Sequence, residues 1–216
     1  MNKAYPELAQ ALSQLLDQMD TSIRKGGYDG PPVTMYLAGG MAVNYYCGSR
    51  YTEDVDAFYN RRLHMGPCEV NYRHKDGNPS FLYLDNNYNP TFGLLHEDHD
   101  RDAVEWTGIG NEKRKLHLYV LSPVDLAVTK ISRYSTQDRE DILALASAGL
   151  FSADQLRDRA MEALGDYIGD RAPVMTSIEL MCRQITAEKS PHFCREPEFP
   201  IDPPNKTKCK DRELEI

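Results

Sequence analysis

The sequence predicts an α+β protein: a small mixed β-sheet core in the N-terminal half, followed by a C-terminal helical bundle. Two observations carry this. Short apolar runs bounded by Gly, Pro, Asn and Asp recur between residues 33 and 121 and read as strands. From Ser122 onward the apolar residues recur at three- and four-residue spacing, which is helical.

In chain order, residues 7–25 carry Leu8, Leu12, Leu15, Leu16, Met19 and Ile23 on one face of an amphipathic helix. The following GGYDGPP cannot continue it. Residues 33–38 read as a strand that ends at Gly39-Gly40. A helical turn or two follows, stopped by Gly48. A second strand is expected over 53–59, a short one over 69–73, a hairpin turn at Asp76-Gly77 and a strand over 80–84 that ends at Asp85. Residues 115–121 form the last strand. Ser122-Pro123-Val124-Asp125 then starts a helix, with Ser as N-cap, Pro at the first helical position and an acid in the first turn. That helix sets Val124, Ala127, Val128 and Ile131 on one face and Lys130 and Arg133, three apart, on another. Further helices are expected over 136–148, closed by Gly149, and from Ser152 to about residue 167. Ser152 and Gln155 make a capping box there, and Phe151 staples onto Leu156. A fourth helix over 173–189 buries Ile178, Met181, Cys182 and Ile185. The expected organisation is a sheet-bearing unit at 1–121, a helical region at 122–189 and, at 190–216, an extended or disordered tail rich in Pro and charge.

Composition sets limits on function. The balance of 41% apolar and 27% charged residues suits an ordinary soluble globular protein. No apolar run is long enough to span a bilayer, and MNKAYPELAQ lacks a signal-peptide core, so a cytoplasmic protein with no membrane partner is expected. Cys47, Cys68, Cys182, Cys194 and Cys209 are scattered without a C-x-x-C pair, which supports neither a zinc site nor a disulfide framework. Cys47 reads as a small core residue. The net charge of −8 argues against a broad grip on nucleic acid, which rests on phosphate contacts. Any RNA must be held locally, by Arg61-Arg62 or by Lys113-Arg114-Lys115, unless these are merely solvated loops.

The chemistry concentrates in YLAGGMAVNYYCGSRYTEDVDAFY, residues 36–59. Residues two apart on a strand face the same way, so Asp54 and Asp56 project together with Val55 turned to the core. Paired carboxylates repel and raise each other's pKa unless a cation lies between them. Hard oxygen ligands of this kind suit Mg²⁺, with Mn²⁺ as the alternative. Gly39-Gly40 at a helix start lets backbone N–H groups approach a phosphate closely. The run His96-Glu97-Asp98-His99-Asp100 lacks metal-ligand spacing and is weighed only as a source of substitutes, Asp98 or Asp100, for a third carboxylate.

An apolar strand, Gly-Gly, about a dozen residues and then Asp-x-Asp resembles the nucleotidyltransferase superfamily of the DNA polymerase β type. More narrowly, GGMAVNYYCGSRYTEDVD and LSPVDLAVTKISRYSTQDREDI resemble the AbiEii-like nucleotidyltransferases of bacterial toxin–antitoxin and abortive-infection systems. The resemblance implies a two-metal Mg²⁺ site held by Asp54, Asp56 and a third acid at the end of a neighbouring strand, for which Asp85 is the candidate; the rival role for Asp85 is to cap the turn DNNYNP. It implies a lysine on the helix after the last strand, here Lys130, as the cation for the triphosphate, with Arg50 second. Gly39, Gly40, Arg50, Thr52 and Lys130 are then the nucleotide-binding set. Asp138 and Asp141 match the acidic pair that follows the lysine, and either position it or a base, or favour a helix N-terminus. One departure is that many superfamily members carry Gly-Ser, whose hydroxyl touches phosphate, whereas Gly40 and Met41 offer only backbone here.

The expected activity is metal-dependent transfer of a nucleotide from an NTP such as ATP. By the resemblance, the acceptor is the 3′ end of tRNA and the protein is a toxin with a cognate antitoxin. A second reading keeps the chemistry and makes the acceptor a protein side chain, as in AMPylation, or a small molecule. A third is a catalytically silent nucleotide- or partner-binding module.

Overall fold

The structure is a computed structural model that describes residues 2–90 and 93–189. The tail expected over 190–216 lies outside the described residues, as do Cys194 and Cys209.

Helix α1 (Pro6–Lys25) forms as its apolar spacing requires, with Leu8, Leu12, Leu15, Leu16 and Met19 fully buried. The strands divide between two small sheets. One has the order β3-β1-β7-β6, formed by β3 (Ala57–Tyr59), β1 (Val33–Leu37), β7 (Leu116–Val120) and β6 (Val104–Glu105). β1 runs parallel to β7 and antiparallel to β3, so this sheet is mixed. The other has the order β2-β5-β4, formed by β2 (Asp54–Val55), β5 (Pro79–Leu84) and β4 (Glu69–Arg73). β4 and β5 are an antiparallel hairpin whose tip turns at Gly77, at φ 87°. α1 packs against β4, β5 and β7.

The strand expected over 53–59 is not continuous. It breaks at Asp56 and serves both sheets: Asp54 and Val55 pair with Tyr83 and Leu84, whereas Ala57 pairs with Leu37. The physical reason is that the backbone of Asp56 leaves the ladder of one sheet and gives its carbonyl to the Ala38 amide, 2.8 Å away, at the end of β1. Helix α2 (Gly39–Cys47) starts there and ends at Gly48, which takes the left-handed conformation at φ 59°. Every residue of α2 from Gly39 to Tyr46 is buried, so the turn that precedes it is locked in place.

After β7, helix α4 (Pro123–Ile131) begins with the Ser122 side chain accepting from the Asp125 amide. Leu126, Ala127, Val128 and Ile131 are fully buried, while Val124 is only half-buried. Burying each of the larger three side chains contributes about 1.5–3 kcal/mol, which fixes the backbone that carries Lys130 and Arg133. α5 (Thr136–Ser147) and α6 (Ala153–Ala163) each open with a full capping box, the latter from Ser152 and Gln155 as the sequence indicates. α7 (Arg171–Lys189) packs on α5 and α6. A single apolar cluster joins α1, both sheets and the C-terminal helices. The sequence pattern does not disclose β6, the one-turn helix α3 (His99–Asp102) or a 3-10 turn at Asn111–Lys113. No helix among the described residues is long and apolar enough to cross a membrane.

Candidate active site

Three chain segments meet where β1 ends. The Asp56 carbonyl bonds to the Ala38 amide, and the Asp85 amide donates to the Val55 carbonyl at 3.1 Å. The end of β5 therefore lies against the Asp54–Asp56 segment, which lies against the Gly39 turn. They border a cleft of about 430 Å³ lined by Gly39, Gly40, Arg50, Asp54, Asp56, Asp85, Asn87, Tyr88, Lys130 and Arg133, among others. Asp54 and Asp56 flank the fully buried Val55 and both face this cleft, as period-two alternation predicts.

The two glycines have a sharper reason than the sequence discloses. Gly39 has φ +58°, and a Cβ there would lie 1.9 Å from Asp56 Oδ2. Glycine is required because the Asp56 carboxylate rests directly on the turn. A Cβ on Gly40 would lie 2.9 Å from both Arg50 Nη2 and Thr52 Oγ1. No side chain caps the start of α2, so its first N–H groups, which have no partner within the helix, remain for a ligand in the cleft.

Electrostatics single out Asp56. Burial, with the charges of Asp54 and Asp85 beside it, raises its pKa from the ordinary 3.8 to about 6, while Lys130 and Arg133 oppose the rise from across the cleft. Both of those cations are engaged elsewhere. Lys130, with a side chain only 4% exposed, contacts Asp141 at 2.8 Å and Asp138 at 3.6 Å. Arg50 joins Asp141 by two hydrogen bonds of 3.1 Å. Arg133 grips Asp138 at 2.6 and 2.7 Å, yet its side chain is 70% exposed. Burial would raise the Asp138 pKa, but hydrogen bonds from Arg133 and Ser135 and the charges of Arg133 and Lys130 hold it well below the ordinary carboxylate range.

Asp138 and Asp141 thus do not line the cleft. They stand behind it on α5 and orient Lys130, Arg50 and Arg133, and Asp138 also closes the α5 capping box. Thr52 does not line it either: its hydroxyl donates to Asp54 Oδ1 and so orients that carboxylate. Asp85 caps its turn, its Oδ1 accepting from the Asn87 amide at 2.8 Å, and the residue also borders the cleft. Arg133 is the feature the sequence reading left without a role. It lines the cleft from just past the end of α4 and is more exposed than Lys130, and the signal was its place three residues from Lys130.

The basic clusters lie elsewhere. Arg114 is buried and bonds to Asp17 and Ser13 of α1, Lys115 Nζ donates to the Gly30 carbonyl, and Arg61 sits over the Tyr28 ring. In the acidic run, His96 is buried against Glu162 at 3.0 Å, and Asp98 pairs with Arg101 at 3.0 Å. Neither Asp98 nor Asp100 borders the cleft.

The cleft carboxylates suit a divalent cation. Asp54, Asp56 and Asp85 offer the hard oxygens that Mg²⁺ takes, and the crowded Asp56, which has no ion-pair partner among the described residues, is a group that such an ion would relieve. The three are not drawn into a closed cluster: among the described residues no group of three His, Cys, Asp or Glu side chains has metal-binding geometry. The donor chemistry fits an open site of the kind Mg²⁺ occupies with several waters.

Comparison with known proteins agrees with this geometry. A family model described as "Nucleotidyltransferase of unknown function (DUF6036)" matches residues 14–172. No curated protein and no solved structure matches the chain. The matched span holds the glycine turn, all three cleft carboxylates and the cations Lys130 and Arg133, and with them the chain belongs to this nucleotidyltransferase family.

Proposed function

We propose that this chain is a metal-dependent nucleotidyltransferase that moves a nucleotide from an NTP to the 3′ end of tRNA, as the toxin of a toxin–antitoxin pair. The observation that carries the chemistry is the packing of Asp56 on Gly39, which unites the glycine turn with three carboxylates in one cleft. In this reading the free N–H groups at the start of α2 and the Arg133 guanidinium hold the triphosphate, while Lys130, fixed by Asp138 and Asp141, supplies positive charge behind it. The acceptor hydroxyl oxygen attacks the α-phosphorus in line. The new O–P bond forms as the bond to pyrophosphate breaks, pyrophosphate leaves, and the hydroxyl proton passes to Asp85. Mg²⁺ held by Asp54, Asp56 and Asp85 would neutralise charge on the attacking and leaving oxygens. The tRNA acceptor and the toxin role rest on the likeness of residues 39–56 and 121–142 to the AbiEii-like group.

A second acceptor class, a protein side chain or small molecule, is favoured by the net charge of −8 and by the distance of both basic clusters from the cleft lining. A silent binding module is disfavoured, because a carboxylate held at a pKa of about 6 costs the fold stability that a binding scaffold has no reason to spend. The test is to incubate the protein with Mg²⁺ and each NTP labelled at the α-phosphate, in turn with total tRNA, with protein and with no acceptor. Label on tRNA supports the leading reading, label on protein moves it to the second, and no transfer with any NTP overturns both.

A further inference from the structure

A second groove, of about 450 Å³, shares Arg50 and Asp54 with the cleft and is otherwise lined by Tyr51, Thr52, Glu53, His74 and Tyr83. Tyr83 is the register partner of Asp54 on the neighbouring strand, so the phenol and the carboxylate stand side by side on one sheet face. Two residues earlier on that face is Phe81. The rings stack with centroids 6.0 Å apart at 29°, and each residue is 37% exposed. Strand β5 alternates strictly, burying Ser80, Leu82 and Leu84, so its outward positions would ordinarily carry polar residues. They hold a stacked aromatic pair instead. On another wall, His74 lies flat on Tyr51, with centroids 3.9 Å apart at 13°, and its buried Nε2 has no hydrogen-bond partner among the described residues.

We infer that this groove is the acceptor subsite and that it takes the unpaired end of an RNA strand, with its terminal bases stacked on Tyr83 and Phe81 and its last ribose presented to Asp54. This rests on the proposed transfer reaction and adds where and how the acceptor is held. Charge decides between stacking and phosphate contact. Arg50 is offset by Glu53 and Asp54 within the groove and by Glu69, the register partner of Tyr83 on its other side. A run of phosphates is repelled by such a surface, whereas every base has a face that stacks on an aromatic ring whatever its sequence. This reconciles an acidic protein with a nucleic-acid acceptor: the grip is local and made by rings. It also explains why the basic clusters are not needed.

The test uses a short single-stranded RNA that ends in 2-aminopurine, whose fluorescence is quenched on stacking, titrated with the full-length protein. A fluorescent NTP analogue with Mg²⁺ is titrated in parallel to report the first cleft independently. Quenching by the wild type is expected, with binding weakened about ten- to hundredfold in Tyr83→Ala and Phe81→Ala and kept in Tyr83→Trp. NTP-analogue binding should be unchanged in all three variants. Loss of NTP binding in the wild type would count against the transfer reading and leave this groove to be judged on the RNA titration alone. Absence of quenching, RNA binding in Tyr83→Ala within twofold of wild type, or equal displacement of the RNA by a tyrosine-containing peptide would overturn the inference.

Discussion

Replacing Asp56 by Asn should stabilise the protein while ending its transfer activity. The folded state holds the Asp56 proton more tightly than the unfolded chain does, because burial, Asp54 and Asp85 raise the pKa from 3.8 to about 6. That difference is worth about 3 kcal/mol at 1.36 kcal/mol per pH unit. Its sign follows from proton binding. Between pH 4 and 6 the native state carries more protons than the unfolded state, so the stability tied to Asp56 is full below pH 4 and is lost as pH rises through about 6. Asn removes the charge but keeps a polar group in a partly buried place and gives up the attraction of Lys130 and Arg133. A net gain of about 1–2 kcal/mol at pH 7.5 remains, which for a chain of this length raises Tm by roughly 2–8 °C. Thermal melts of both proteins from pH 4 to 8 without divalent metal would show the difference growing with pH. Equal Tm differences at pH 4 and pH 8, or a less stable variant at pH 7.5, would refute the reasoning.

Other perturbations probe the remaining parts. Millimolar Mg²⁺ should raise the wild-type Tm at pH 7.5 and leave Asp54→Asn and Asp56→Asn unmoved, as read by the same melts. Gly39→Ala would force a Cβ into Asp56 and strain a left-handed backbone, with an expected loss of about 1–3 kcal/mol in urea unfolding and no measurable transfer. Asp138→Ala removes a capping box and uncovers Arg133 and Lys130, so unfolding should become easier by about 3 kcal/mol at pH 7. Because the Asp138 pKa is depressed, its contribution is present above about pH 4 and disappears as pH falls, so the variant and wild type should converge in acid melts. Arg133→Ala should raise KM for the NTP about tenfold or more in steady-state kinetics, with a smaller change for the acceptor.

Much of the site was readable in the sequence because it depends on short-range geometry. Period-two alternation put Asp54 and Asp56 together around Val55, and the Ser122-Pro123 start fixed α4, which bears Lys130 and ends two residues before Arg133. The break at Asp56 was not readable, since the alternation survives a change of sheet and only the long-range bond from the Ala38 amide reveals it. The backward role of Asp138 and Asp141 also depends on tertiary packing: a carboxylate in the first turn or two of a helix looks the same whether it caps, orients a lysine or faces a substrate. The sequence left the basic run Lys113-Arg114-Lys115 open between a solvated loop and a local grip on RNA for a related reason. Arg114 and Lys115 are held by Asp17 and the Gly30 carbonyl, 97 and 85 residues away in sequence.

The most direct measurement follows the two ends of the triphosphate. With NTP labelled at the α-phosphate in one reaction and at the γ-phosphate in another, the wild type with Mg²⁺ should leave the α-label on the acceptor and the γ-label in pyrophosphate, and Asp54→Asn should do neither. A γ-label on the acceptor, or an Asp54→Asn protein as active as the wild type, would contradict the account.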